Sequence, residues 1–116
     1  MSDNRREALE ALRDKVKAGE FDRWSVNGAP LTAPQKAFVT RAYHGSLDAA
    51  KALHDAVLPG WRYSITHGPS GDAAVVAKRL GEQVDTLGFA TDNPARAWLI
   101  AILSALISET PKGETP

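Results

Sequence analysis

Cysteine is absent from the 116 residues, so a disulfide framework, an iron–sulfur cluster and a cysteine-rich zinc site are all excluded. A dominant charge is absent too. Fourteen Lys and Arg balance fourteen Asp and Glu, giving net charge 0 and a pI near 6.8, so nothing in the balance points to a polyanion partner. No apolar run reaches the roughly 20 residues that a membrane span needs. The nearest approach, Ala95–Ile107, is polar only at Arg96 and Ser104 but stops too soon. Met1–Arg13 is charged where a signal peptide would be apolar, so the expectation is a cytoplasmic protein with no membrane partner. What is present is ordinary: hydrophobic residues make up 43% and charged ones 24%. A chain of this size forms one domain and buries roughly 65% of its unfolded surface.

The order of elements follows from caps and periodicity. Asn4 and Glu7 suit the start of a helix over 4–18, stopped by Gly19, with Leu9, Leu12 and Val16 as its apolar stripe. Phe21 and Trp24 follow in a connector, either folded back over a core edge or forming a groove for a partner. Thr32, Pro34 and Gln35 open a helix over 33–44 that carries Ala37, Phe38 and Ala42. Ser46 caps another over 46–58, with Leu47, Ala50, Leu53, Val57 and Leu58 on its buried side and Pro59-Gly60 ending it.

The period then changes from helical to alternating. Trp61, Tyr63, Ile65 and His67 alternate with Arg62, Ser64 and Thr66, which reads as a half-buried strand. Gly68–Asp72 is a turn cluster, 73–79 is a strand with helix as the alternative, and 84–90 is a third strand. Asp92 and Pro94 open a last helix over 94–107, apolar almost all round and therefore buried on both sides, within the chain or against a second copy. The expected fold is α+β: a single domain over 1–108 in the order α-α-α-β-β-β-α, a small three-stranded antiparallel sheet over 61–90 packed with helices, and a disordered tail at 109–116.

Two stretches carry a resemblance. Ala42-Tyr43-His44-Gly45-Ser46-Leu47-Asp48-Ala49-Ala50 followed by Leu58-Pro59-Gly60-Trp61, and Asn93-Pro94-Ala95-Arg96-Ala97-Trp98-Leu99, resemble a family of small phage and prophage proteins known as the phage ABA sandwich domain. That resemblance implies a phage origin and an α/β sandwich, and it supplies no catalytic residues. From Ser46 onward the order α-β-β-β-α is also similar to the double-stranded RNA-binding domain. That module contacts RNA through its first helix, its first β-turn and the start of its last helix, which here is Asn93–Ala97 with Arg96 as its one cation.

Residue types suited to chemistry are scattered. Gly68-Pro69-Ser70-Gly71 opens like a phosphate loop but lacks the Gly-Lys-Ser/Thr close, so a hairpin turn is the better reading. His44, His54 and His67 show no metal-ligand spacing, no G-x-S-x-G surrounds any serine, and Asp48, Asp72 and Asp92 suit caps and turns. The expectation is therefore a non-enzymatic protein without a cofactor or metal. It would be a phage accessory protein of counter-defence type that binds a host protein or sequesters a small, nucleotide-like host molecule. Trp61, Arg62, Tyr63, His67 and Arg79 are the candidate ligand contacts, through ring stacking and phosphate pairing. Phe21, Trp24, Trp98 and Ile102 are the candidate interface residues, with a homodimer in view. The alternatives are an RNA-binding module and a self-associating assembly protein.

Overall fold

The computed structural model describes residues 4–69, 71–80 and 83–109, with backbone alone at 4, 67, 78–80 and 83–91. Of the expected tail at 109–116, Glu109 instead closes the last helix, and 110–116 lie outside the described residues. The chain is α+β. Helices α1 (Asn4–Ala18), α2 (Arg23–Asn27), α3 (Ala33–Tyr43) and α4 (Leu47–Val57) precede strands β1 (Arg62–Gly68), β2 (Gly71–Leu80) and β3 (Gln83–Thr91), and α5 (Pro94–Glu109) follows. The expected order is thus corrected by one helix. Asp22 caps α2 by accepting from the Ser25 amide at 2.8 Å, which folds the supposed connector into a single helical turn.

The strands pair antiparallel in the order β1-β2-β3. The register runs without a bulge from Arg62 opposite Ala77 to Gly68 opposite Gly71, and from Asp72 opposite Thr91 to Leu80 opposite Gln83. The segment over 73–79 is therefore strand, its alanine helix propensity overridden by pairing on both sides. Asp72, expected in the turn, is instead a buried β2 residue, and the hairpin closes between Gly68 and Gly71.

Helix α5 is the centre of the molecule. It packs on β2 and β3, and on its other side against α1, α3 and α4. Leu99, Ala101, Ile102, Leu103 and Ala105 are wholly buried, which accounts for a helix that is apolar all round. Arg6 Nη1 donates to the Ile107 carbonyl at 2.8 Å and so ties the start of α1 to the end of α5, where a cation suits the helix dipole.

The connections are made by the residues that mark them in the sequence. At the end of α3, Ser46 N–H donates to the Arg41 carbonyl at 3.0 Å and Gly45 N–H to the Ala42 carbonyl at 3.0 Å. This is a Schellman motif, and Gly45 at φ 110 supplies the left-handed step that it requires. Ser46 then caps α4 by accepting from the Ala49 amide at 3.1 Å, so two helices reverse direction within three residues. Past α4, Trp61 N–H donates to the Leu58 carbonyl at 3.1 Å across Pro59 and Gly60, and Gly60 at φ 85 makes this a type II turn.

Three local expectations are corrected. Ala37 and Leu47 face solvent, and Val39, Tyr43 and Ala49 take the buried places on α3 and α4. The cap of α5 is Asn93, not Asp92: its Oδ1 accepts from the Arg96 amide at 3.1 Å.

Candidate functional site

Three neighbourhoods hold the residues singled out by sequence: the aromatic seam between β1 and α4, the junction of α3 with α5, and the α2 corner.

The seam is built on His54. This ring is 1% exposed and bonded at both nitrogens. Trp98 Nε1 approaches its Nδ1 at 3.3 Å, and the Trp61 carbonyl lies 3.1 Å from its Nε2. An indole N–H can only donate, so Nδ1 accepts and the proton sits on Nε2, where it donates to Trp61. His54 is thereby a strut between α4, α5 and the turn leading into β1. Tyr63 closes the seam. Its ring lies 4.6 Å from Trp98 at 30° and 5.0 Å from His54 at 68°. Its other side is open, leaving Tyr63 43% exposed. Next to it on α4, Lys51 Nζ donates to Asp55 Oδ2 at 2.8 Å. That hydrogen bond and the carboxylate charge raise the Lys51 pKa, with the Tyr63 hydroxyl contributing, and the same bond holds the Asp55 carboxyl below its ordinary value.

The proposed ligand contacts are thus split. Trp61, Tyr63 and Ile65 pack toward the helices, whereas Arg62, Ser64 and Thr66 emerge on the opposite face of β1 and are exposed. A ligand stacked on Tyr63 and one paired with Arg62 would lie on opposite faces of β1. The side chains of His67 and Arg79 lie outside the described residues.

The second neighbourhood is organised by Arg96. Its Nε and Nη2 donate to the Tyr43 carbonyl at 3.3 and 3.2 Å, and its guanidinium carbon lies 4.0 Å from the Tyr43 ring centroid. The cation so placed for RNA contact instead satisfies the last turn of α3. Phe21 stacks on the other side of Tyr43 at 4.5 Å and 20°, and His44 meets both rings edge-on. Phe21 therefore folds back over a core edge. Trp98 and Ile102, expected at an interface, are 3% and 0% exposed within the chain's own core and offer no surface to a partner. Ser104 Oγ, also buried, has no hydrogen-bond partner among the described residues.

The third neighbourhood is the α2 corner. Trp24 is 83% exposed there. It stands on a helical turn fixed at each end: the Asp22 cap lies 3.6 Å from Lys15 Nζ, Gly28 N–H donates to the Trp24 carbonyl at 3.0 Å, and Lys36 Nζ donates to the Asn27 carbonyl at 2.9 Å. Val26 is buried beneath it. The Ser25 hydrogen bonds, backbone first and then side chain, together with the Lys15 charge, hold the Asp22 carboxyl below the usual carboxylate range. Sequence reading could not set Trp24 apart from Phe21, because a five-residue helix shows no periodicity.

No grouping of three or more His, Asp or Glu that could hold a metal occurs among the described residues, and no helix among them is long and apolar enough to cross a membrane. The chain matches no family model, no curated protein and no solved structure. The resemblances to the phage ABA sandwich domain and to the double-stranded RNA-binding domain gain no support from these comparisons.

Proposed function

We propose that the chain is a binding protein that recognises a protein partner through the Trp24 corner. The observation that supports this reading is the exposure of a tryptophan on a turn held in place from both sides. An indole of about 200 Å² left in water forgoes about 4 kcal/mol of burial, which a pocket on a partner would recover. The presenting turn is already ordered by the Asp22 cap and the Lys36–Asn27 bond, so little freedom is lost on docking. Tryptophan is also the residue type most enriched among interface anchors. This reading keeps the host-protein arm of the sequence-based expectation and does not depend on the phage setting.

The test places a photo-crosslinking amino acid at position 24 and, as a control, at exposed Arg41 on α3. Irradiation in cells should give one dominant protein adduct from position 24 and none from 41, and Trp24→Ser should abolish capture of the same protein while leaving the melting temperature unchanged. Equal adduct patterns from the two positions, or undiminished capture by Trp24→Ser, would sink the proposal.

A further inference from the structure

The self-association expected of α5 is closed off by its burial, but the sheet leaves another route. Strand β1 is an edge strand: among the described elements it pairs only with β2, while α5 packs against it and α4 reaches it through the His54–Tyr63 ring contact. Natural edge strands are usually protected by proline, bulges or inward charges, because their unpaired N–H and C=O groups otherwise accept a further strand. β1 has none of these. Its sequence, Arg-Tyr-Ser-Ile-Thr-His-Gly, has no proline, pairs with β2 without a bulge, and carries its one Arg at the first position. The other edge strand, β3, has Asp85 and Gly88 within it.

A second observation lies beside that edge. Tyr63 is 43% exposed, and Trp61 and Ile65 are only partly buried, although all three belong to the core side of the sheet. They are left open because α5 lies chiefly over β2 and β3, so β1 overhangs the helix.

We propose that β1 pairs antiparallel with β1 of a second copy, joining the two sheets into one of six strands. The occupant is a second copy because the strand is complementary to itself. Opposed residues in an antiparallel pair share a face, so the two-fold axis must pass through a residue. With the axis at Ser64, Tyr63 lies opposite Ile65 of the copy, an aromatic–β-branched pair formed twice, and Arg62 lies opposite Thr66. With the axis at Ile65, Ser64 lies opposite Thr66 and Arg62 opposite Gly68. Like charges oppose each other in neither register. The first register brings the half-open Tyr63 and Ile65 of one protomer against those of the other, and the second brings Ile65 against Ile65. Seven residues of edge make a small interface, so the dimer is a weak, reversible one.

The experiment is sedimentation velocity over a concentration series of the full chain, with wild type, S64K/T66K and Trp24→Ser. Ser64 and Thr66 are exposed on the sheet's outer face, so the lysines leave the monomer fold intact, which circular dichroism and melting temperature check. In either register the double variant sets like charges opposite each other across the edge. A concentration-dependent dimer in wild type and in Trp24→Ser that S64K/T66K converts to monomer is the expected result. Wild type that stays monomeric into the millimolar range overturns the proposal. So does a dimer that survives S64K/T66K, or one that Trp24→Ser abolishes. The Trp24 reading stands or falls separately, on its own crosslinking test.

Discussion

Replacing His54 by Leu tests whether the seam is held by its polar strut or by packing alone. Leucine nearly preserves the volume, so the transfer and cavity contributions are small. What changes is that the Trp98 indole N–H, inside a residue 3% exposed, loses its acceptor, and the Trp61 carbonyl loses its donor. A buried polar group left unpaired costs about 1–3 kcal/mol. Trp61 is only half-buried, so water can reach its carbonyl and the indole carries most of the loss. The expected destabilisation is about 2–3 kcal/mol, or about 8–12 °C in melting temperature for a domain of this size. Trp98→Phe removes the donor and some volume, and leaves His54 Nδ1 unpaired in turn. In the double variant both ends of the bond are gone, so its loss should fall short of the sum of the single losses by about 1–2 kcal/mol. Urea denaturation followed by far-UV circular dichroism gives all four corners of this cycle. Additivity within about 0.5 kcal/mol would refute the strut and leave the 3.3 Å contact as mere proximity.

The junction and the corner are open to simpler perturbations. Arg96→Lys retains the charge but cannot donate twice to the Tyr43 carbonyl, and should lower stability in urea by about 1–2 kcal/mol; a loss below about 0.3 kcal/mol would show the latch to be idle. Ser104→Ala removes a buried hydroxyl with no partner among the described residues and should be neutral or stabilising by up to about 1 kcal/mol, so a clear drop in melting temperature would mean that the hydroxyl is satisfied after all. Asp22 has its pKa lowered in the fold, so its contribution is complete above the ordinary carboxylate range and is lost as the pH falls through the lowered value. Below about pH 4 the α2 corner should loosen, read as falling fluorescence anisotropy, and Asp22→Asn, which can still accept from Ser25 but does not titrate, should abolish that step. An identical acid step in Asp22→Asn would assign it to another group.

The features legible in the sequence are those decided within four or five residues. Thr32 and Gln35 form the full capping box, Ser46 caps α4, and Pro59-Gly60 makes the turn that aims Trp61. Each is satisfied by its own neighbours, so its signature is local. Where two local solutions compete, sequence cannot choose between them: Asp92 and Asn93 are both good caps, and the fold uses the one whose side chain also lies beside Gly45. The candidate site is hidden from the sequence for a related reason. His54 meets Trp98 across 44 residues, and Arg96 meets Tyr43 across 53. Nothing in the local pattern says that a histidine bordering an apolar stripe has acceptors and donors waiting for it, or that a lone cation at a helix start will satisfy another helix's end. The exposure of Trp24 beside the burial of Phe21 is likewise a tertiary outcome, because only Phe21 finds the Tyr43 ring.

The surfaces left open follow from the widths of the elements. A helix with its side chains is about 10 Å across, and strands repeat about every 4.8 Å, so a single helix covers about two strands. Here the helix lies over β2 and β3, and β1 must protrude. The chain fills part of that gap by sending Tyr63 and the Trp61 carbonyl across to His54 on α4, which is why a buried histidine bonded at both nitrogens sits at the edge of the sheet rather than in its middle. Side chains alone cover β1 incompletely, and among the described elements no strand pairs with its outer row of backbone groups. The same shortage of cover therefore accounts for the polar strut, the half-open Tyr63 and the unprotected edge. Strengthening the cover should weaken the edge as a docking site: a variant that fills the space over Tyr63 from α4, such as Lys51→Met, should raise the melting temperature and shift the monomer–dimer equilibrium toward monomer, whereas a dimer indifferent to that change would separate the edge from the seam.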